Sequence, residues 1–186
     1  MKKIMLFAAM ALFTISAAAQ NIGRVSLEEL FTLMPEYIEA QNTIAAISHE
    51  TSETFQAMVT EFQDKSTAFE QKQAGWTASV REVKQAELAD MQRRLQEFQQ
   101  TAYQELQAKQ SELLAPVQEK AMAAIRELAK AKGLTAVFDV NSLLYFDETA
   151  TVDLMPDARK ALGIPEDRTL ETVRAEINEL QLKYAE

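Results

Sequence analysis

Ile44, Ile47, Phe55, Met58, Phe62, Phe69 and Trp76 recur at steps of 3, 8, 3, 4, 7 and 7, with Gln, Glu, Ser, Thr and Lys between them. One narrow apolar stripe with a period of about 3.5 residues is the pattern of a coiled-coil face. No Gly or Pro interrupts residues 36–74; Gly75 does, and Pro116 is the only breaker in 76–132. A second stripe follows through Val80, Val83, Leu88, Met91, Leu95, Phe98, Ala102, Leu106, Leu113, Val117, Ala121, Ile125 and Leu128. Its register slips at the five-residue step from Val83 to Leu88. A continuous helix over 76–132 spans about 85 Å at ~1.5 Å per residue, longer than a globule of this mass is wide, so it must project. Two stripes meeting at one Gly predict an antiparallel helical hairpin, an arm over 44–110 with its tip near 73–78. Phe55, Phe62, Phe69, Trp76, Met91 and Phe98 are its candidate seam residues. Trp76 reads as a tip residue that caps the seam.

The flanks carry different signals. Residues 22–25 form a short strand candidate, and Ser26 with Glu29 reads as a capping box: the hydroxyl accepts from the third helical N–H while the Glu side chain reaches back. Val25 and Leu30 are spaced to close a hydrophobic staple over it. Leu27, Leu30, Phe31 and Met34 form one face, and Pro35 stops or bends that helix. Pro116 falls where the second stripe changes from Gln-rich to Ala-rich, and a Pro in a helix interior bends it; it marks the bend where the arm enters a body. Gly133 after Lys130 and Lys132 is a helix C-cap. The β-rich run 135–140, Asn141-Ser142 and the apolar run 143–146 predict two hairpin strands. Pro156 opens a short helix closed by Gly163. Leu170, Val173, Ile177, Leu180 and Tyr184 step by 3 and 4, an amphipathic C-terminal helix. The fold class is mostly α with a small β body: 20–43 and 111–162 form the body, 44–110 the arm, and 163–186 a C-terminal helical extension.

The first nineteen residues stand apart. Lys2 and Lys3 precede an apolar run from Ile4, and Ala17-Ala18-Ala19 supplies the small residues of a cleavage site, so 1–19 reads as a cleaved signal peptide and the protein as exported. The mature chain then holds no transmembrane span, and its net charge moves from −9 to −11 as two lysines leave. Such a balance argues against nucleic-acid binding, which needs clustered Lys and Arg. The charge is uneven: the arm is nearly neutral, and the acidity gathers at its base and in the C-terminal part.

Little chemistry is available. There is no Cys and one His, which excludes disulfides, thiolate metal sites and a Cys nucleophile. His49 reads as a solvated helical side chain. Glu28-Glu29 and Asp147-Glu148 are neighbours that point apart, and no phosphate loop, nucleophile elbow or zinc-protease motif is present. The chain is expected not to be an enzyme, with no cofactor and no metal.

Taken together, the strand 22–25, the capped helix, the long hairpin and the bend Leu113-Leu114-Ala115-Pro116-Val117 resemble the Skp/OmpH-like periplasmic chaperones. Ala129-Lys130-Ala131-Lys132-Gly133-Leu134, Ala136-Val137-Phe138-Asp139, Asn141-Ser142-Leu143-Leu144-Tyr145 and Val152-Asp153-Leu154 extend the resemblance over about 21–162. It implies a homotrimer in which short strands of three chains build the body and three arms enclose a cavity. It implies a periplasmic holdase that binds unfolded outer-membrane proteins without ATP, with the seam aromatics as candidate client-facing residues. The chain departs from the family in two ways. Its arm lacks the Lys/Arg clusters linked to lipopolysaccharide, so that partner is not carried over, and 163–186 runs past the usual end. The alternative is a structural coiled-coil spacer or adaptor of the cell envelope, which needs no strand-containing body.

Overall fold

A computed structural model of the protein describes residues 21–184; the expected signal peptide, 1–19, lies outside them. The elements are β1 (Ile22–Val25), α1 (Leu27–Leu33), α2 (Pro35–Lys72), α3 (Ala78–Ala131), β2 (Ala136–Asp139), β3 (Val152–Asp153), α4 (Met155–Ala161) and α5 (Leu170–Lys183). Short 3₁₀ turns lie at Gln73–Gly75, Val140–Ser142 and Glu148–Ala150. The fold is mostly helical with a small β-sheet. It divides into two compact units. One holds the described residues up to Pro35 with Val117–Val173; the other holds Glu36–Pro116 with the described residues from Arg174 on.

In the first unit β1 is the middle strand of a three-stranded sheet ordered β2-β1-β3, parallel on both sides. Ile22 stands opposite Ala136 and Val25 opposite Asp139; Gly23 and Arg24 stand opposite Val152 and Asp153. Gly23 is buried where a side chain would crowd its neighbours. A Cβ there would sit 2.7 Å from Leu134 Cδ1, 3.1 Å from Val137 Cγ2 and 3.2 Å from Leu154 Cδ1. Leu30, Leu33, Met34, Leu154 and Val173 are fully buried, and Val117, Ala121 and Ile125 bury one face of α3, four residues apart. That spacing is one helical stripe.

The expected hairpin of 135–140 and 143–146 is not formed. The first strand exists as β2, but 143–146 is no strand, and β3 lies further on. A tight two-residue hairpin turn needs positive φ, and no residue here other than Gly adopts it. Instead Asp139 Oδ1 accepts from the N–H of Asn141 at 3.2 Å and from that of Leu27 at 3.3 Å. The first bond winds the chain into a 3₁₀ turn away from β2. β1, flanked by connections long enough for parallel crossovers, takes both pairings.

The helix ends follow the sequence more closely. Ser26 Oγ accepts from Glu29 N–H at 3.3 Å, and Val25 and Leu30 are both buried. The Glu29 side chain makes no return bond to Ser26 among the described residues. Asn141 Nδ2 reaches Ser26 Oγ at 3.3 Å from across the unit, so the cap is shared between two distant segments. Gly133 and Gly163 adopt φ of +62° and +69°. At each, paired bonds close a Schellman motif: Leu134 N–H to Ala129 C=O at 2.9 Å with Gly133 N–H to Lys130 C=O at 3.1 Å, and the equivalent pair after α4.

The segment beyond residue 162 is knitted into this unit as far as Val173. Arg159 Nη2 donates to the carbonyls of Pro165 and Arg168 at 2.8 and 2.6 Å. Arg168 Nε donates to Leu33 C=O at 2.8 Å, satisfying an end of α1. In the second unit Tyr184 lies beside α2, its hydroxyl donating to Asn42 Oδ1 at 3.3 Å.

Candidate functional site: the seam of the helical hairpin

The second unit is an antiparallel hairpin of α2 and α3 that folds about Trp76. Lys65 and Glu87, each eleven residues from Trp76, join across the helices at 2.7 Å. Phe55 and Phe98, farther out on either arm, stack with centroids 6.3 Å apart and planes 14° from parallel. Phe69 meets Trp76 edge-on at 5.7 Å. The chain turns at Gln73–Gly75, with Trp76 N–H donating to Gln73 C=O at 3.2 Å. Helical pitch brings every seventh residue back to nearly the same face, which is why Phe55, Phe62 and Phe69 share one line of α2, while Trp76 lies past the helix end, after the 3₁₀ turn.

Two packed helices bury a seam only in part. Met91 is the one buried residue from Ala45 to Pro116. Phe55, Phe62, Phe69, Trp76 and Phe98 are half-buried, each keeping part of its surface in water. Near the tip, Ala68, Phe69, Trp76 and Leu88 line a small cavity of about 210 Å³ with Lys65, Lys72, Lys84 and Glu87 around it. Val80 and Val83 do not join the seam: they are 41% and 65% exposed. The five-residue step before Leu88 marks where α3 comes into register. Pro116 lies exposed within the unbroken α3, beside the boundary between the two units.

The electrostatics of the hairpin come from side chains that the apolar pattern did not single out. Glu87 takes hydrogen bonds from Lys65 and Lys84 at 2.7 and 2.8 Å, and these hold its carboxyl down at about 2. The same bond to Glu87, with one to Glu61, raises Lys65. Arg93 holds Asp90 below the usual carboxylate range. The symmetry about Trp76 was the available signal for Lys65 and Glu87. His49 is not simply solvated: it is half-buried, 3.6 Å from Glu53, and its ring lies 5.6 Å from that of Tyr184.

Among the described residues no three His, Cys, Asp or Glu side chains are grouped to hold a metal ion, and no helix is long and apolar enough to cross a membrane. The seam offers neither a nucleophile beside a base nor a fixed donor array. It offers a row of partly exposed aromatic and aliphatic edges in a polar, nearly neutral surround, suited to weak and unselective apolar contacts.

No curated protein matches the chain. Residues 21–162 match the family described as outer membrane protein (OmpH-like). That stretch takes in β1, the whole hairpin, β2, β3 and α4. The chain belongs to the OmpH-like family.

Proposed function

We propose that the mature chain is an ATP-independent holdase of the periplasm, which binds unfolded outer-membrane proteins in a cavity formed by the helical arms of a homotrimer. The observation that carries this reading is the hairpin seam, whose aromatics are half-buried along the arm's length rather than sealed into a core. Membership of the OmpH-like family supports it. An unfolded outer-membrane protein is a chain of alternating apolar and polar residues with no fixed shape. Many shallow contacts can hold it and release it, where a deep pocket would demand one conformation. The Phe and Trp edges supply such contacts, and Pro116 is the bend that sets how far the arm opens. The acidic charge and scattered arm cations favour a polypeptide client over lipopolysaccharide.

The spacer reading shares the long helices, but it gives no reason for the sheet of β1, β2 and β3 or for capping bonds that span the sequence from Ser26 to Asn141. The test is dilution of an outer-membrane protein from urea into buffer with or without the mature chain, followed by turbidity. The holdase keeps the client in solution at a near-stoichiometric ratio without nucleotide. Equal turbidity with and without it refutes the proposal.

A further inference from the structure

The tip of the hairpin differs from the rest of the seam. Along the arm the apolar edges lie in a mixed polar surround, but at the turn they gather with cations. Phe69 and Trp76 meet edge-on at 5.7 Å. With Ala68 and Leu88, each also half-buried, they form the apolar wall of the cavity of about 210 Å³. Lys65, Lys72 and Lys84 stand around it, with Glu87 as the lining carboxylate. Glu87 is shared between two of these cations, accepting from Lys65 at 2.7 Å and from Lys84 at 2.8 Å. Lys65 also reaches Glu61, at 3.0 Å. Lys72, the last residue of α2, makes no hydrogen bond or ion pair among the described residues. Three lining cations against one lining carboxylate leave the mouth positive on a chain whose net charge is −9.

We propose that the arm tip is a binding site for an aromatic side chain flanked by carboxylates on an extended, unfolded polypeptide. The inference rests on the holdase reading and names a class of client sequence that the arm selects. Size points to a single side chain: the cavity lies below the ~300–1,000 Å³ of pockets that enclose a small-molecule ligand. The wall points to an aromatic one, because a third ring set against the Phe69–Trp76 pair gains edge and face contacts beyond the area it buries. The charge points to carboxylates beside it. In an extended chain, side chains two residues apart face the same way, so acids two positions before and after the aromatic residue meet the rim. An ammonium has three donors, so Lys72 is wholly available there and Lys84 keeps donors that Glu87 does not use. Elsewhere on the arm the seam takes apolar edges without regard to charge; the tip adds a preference.

Trp76 is the only Trp of the chain, so its emission reports on the cavity directly. The mature full-length chain is titrated with a short end-blocked peptide in which one Phe has an Asp two residues to either side and Ser elsewhere. Trp76 emission should change saturably, and binding should weaken in about 0.5 M salt, where exposed charges are screened. Peptides with Lys in place of Asp, or Ser in place of Phe, should bind at least about ten-fold more weakly. Lys72→Glu, with its circular dichroism unchanged, should bind the Asp peptide about three- to ten-fold more weakly than wild type. Equal responses to the Asp and Lys peptides, no response to either, or an unchanged affinity for Lys72→Glu overturns the inference. A Trp76 response to vesicles of phosphatidylglycerol and phosphatidylcholine with none to the peptide makes the tip a lipid site, and overturns it too. In each of these cases the holdase reading stands as long as the client stays soluble in the turbidity assay. Peptide binding beside an aggregating client sinks the holdase reading and keeps the site.

Discussion

Replacing Gly23 by Ala puts a methyl group at the most crowded point of the sheet. The new Cβ would lie 2.7 Å from Leu134 Cδ1, 3.1 Å from Val137 Cγ2 and 3.2 Å from Leu154 Cδ1. Leu134 is half-buried and its terminal methyl can swing aside. Leu154 is fully buried, and Val137 is β-branched and fixed on β2, so neither moves freely. Overpacking of this kind costs about 1–3 kcal/mol. Ala in a strand recovers roughly 0.5–1 kcal/mol that Gly loses in chain entropy. The balance is a destabilisation of about 0–2.5 kcal/mol, centred near 1 kcal/mol, and for a chain of this size ~1 kcal/mol lowers Tm by about 2–4 °C. The assay is thermal unfolding of the mature chain followed by circular dichroism, with Gly75→Ala as a control, since nothing lies within 4 Å of a Cβ there. Gly23→Ala should melt several degrees below wild type, and Gly75→Ala should not. A Gly23→Ala variant that melts at or above the wild-type temperature refutes the packing argument.

Three further outcomes follow from the structure. Truncating Phe55 and Phe98 singly and together to Leu should give a coupling of about 0.5–1.5 kcal/mol in a double-mutant cycle; additive effects mean the rings do not support one another. Glu87, held near 2 in the folded chain against an ordinary 4.5, adds stability that is present above about pH 4.5 and lost as pH falls toward 2. Wild type should therefore lose more Tm than Glu87→Gln between pH 6 and pH 2.5, and parallel curves for the two proteins contradict the Lys65–Glu87–Lys84 cluster. Pro116→Ala restores an N–H that can bond to the Glu112 carbonyl, so hydrogen exchange around residues 112–117 should slow; unchanged exchange removes Pro116 as the soft point of α3.

The hairpin was legible because its signal is long and periodic: six stripe residues before Trp76 and a breaker at Gly75 leave little else to build. The C-caps at Gly133 and Gly163 were legible for the same local reason, a Gly after a helical run with cations in its last turn. The sheet was only half legible. Residues 22–25 and the run around Ala136–Asp139 read as strands, but their partners depend on bonds such as Asp139 to Leu27, set by residues 112 apart in sequence. Two-residue β3 carries too short a pattern to read. Among the candidate site residues, Phe55, Phe62 and Phe69 lie on one face of α2 through the seven-residue repeat, whereas Trp76 lies beyond the end of that helix. The exposure of Val80 and Val83 was not legible, because a register slip is resolved only by the opposite helix. Lys65 and Glu87 stayed hidden for a related reason: a charge pair across a hairpin shows only once the turn is placed.

Reversible holding is the central claim, and client release measures it most directly. An outer-membrane protein is diluted from urea into nucleotide-free buffer containing the mature chain, and lipid vesicles are added after a delay longer than the client's own aggregation time. The client should still be soluble and should then fold into the vesicles, seen as its heat-modifiable shift on a gel. A client that has aggregated before the vesicles arrive, or that stays bound and unfolded in their presence, contradicts reversible holding.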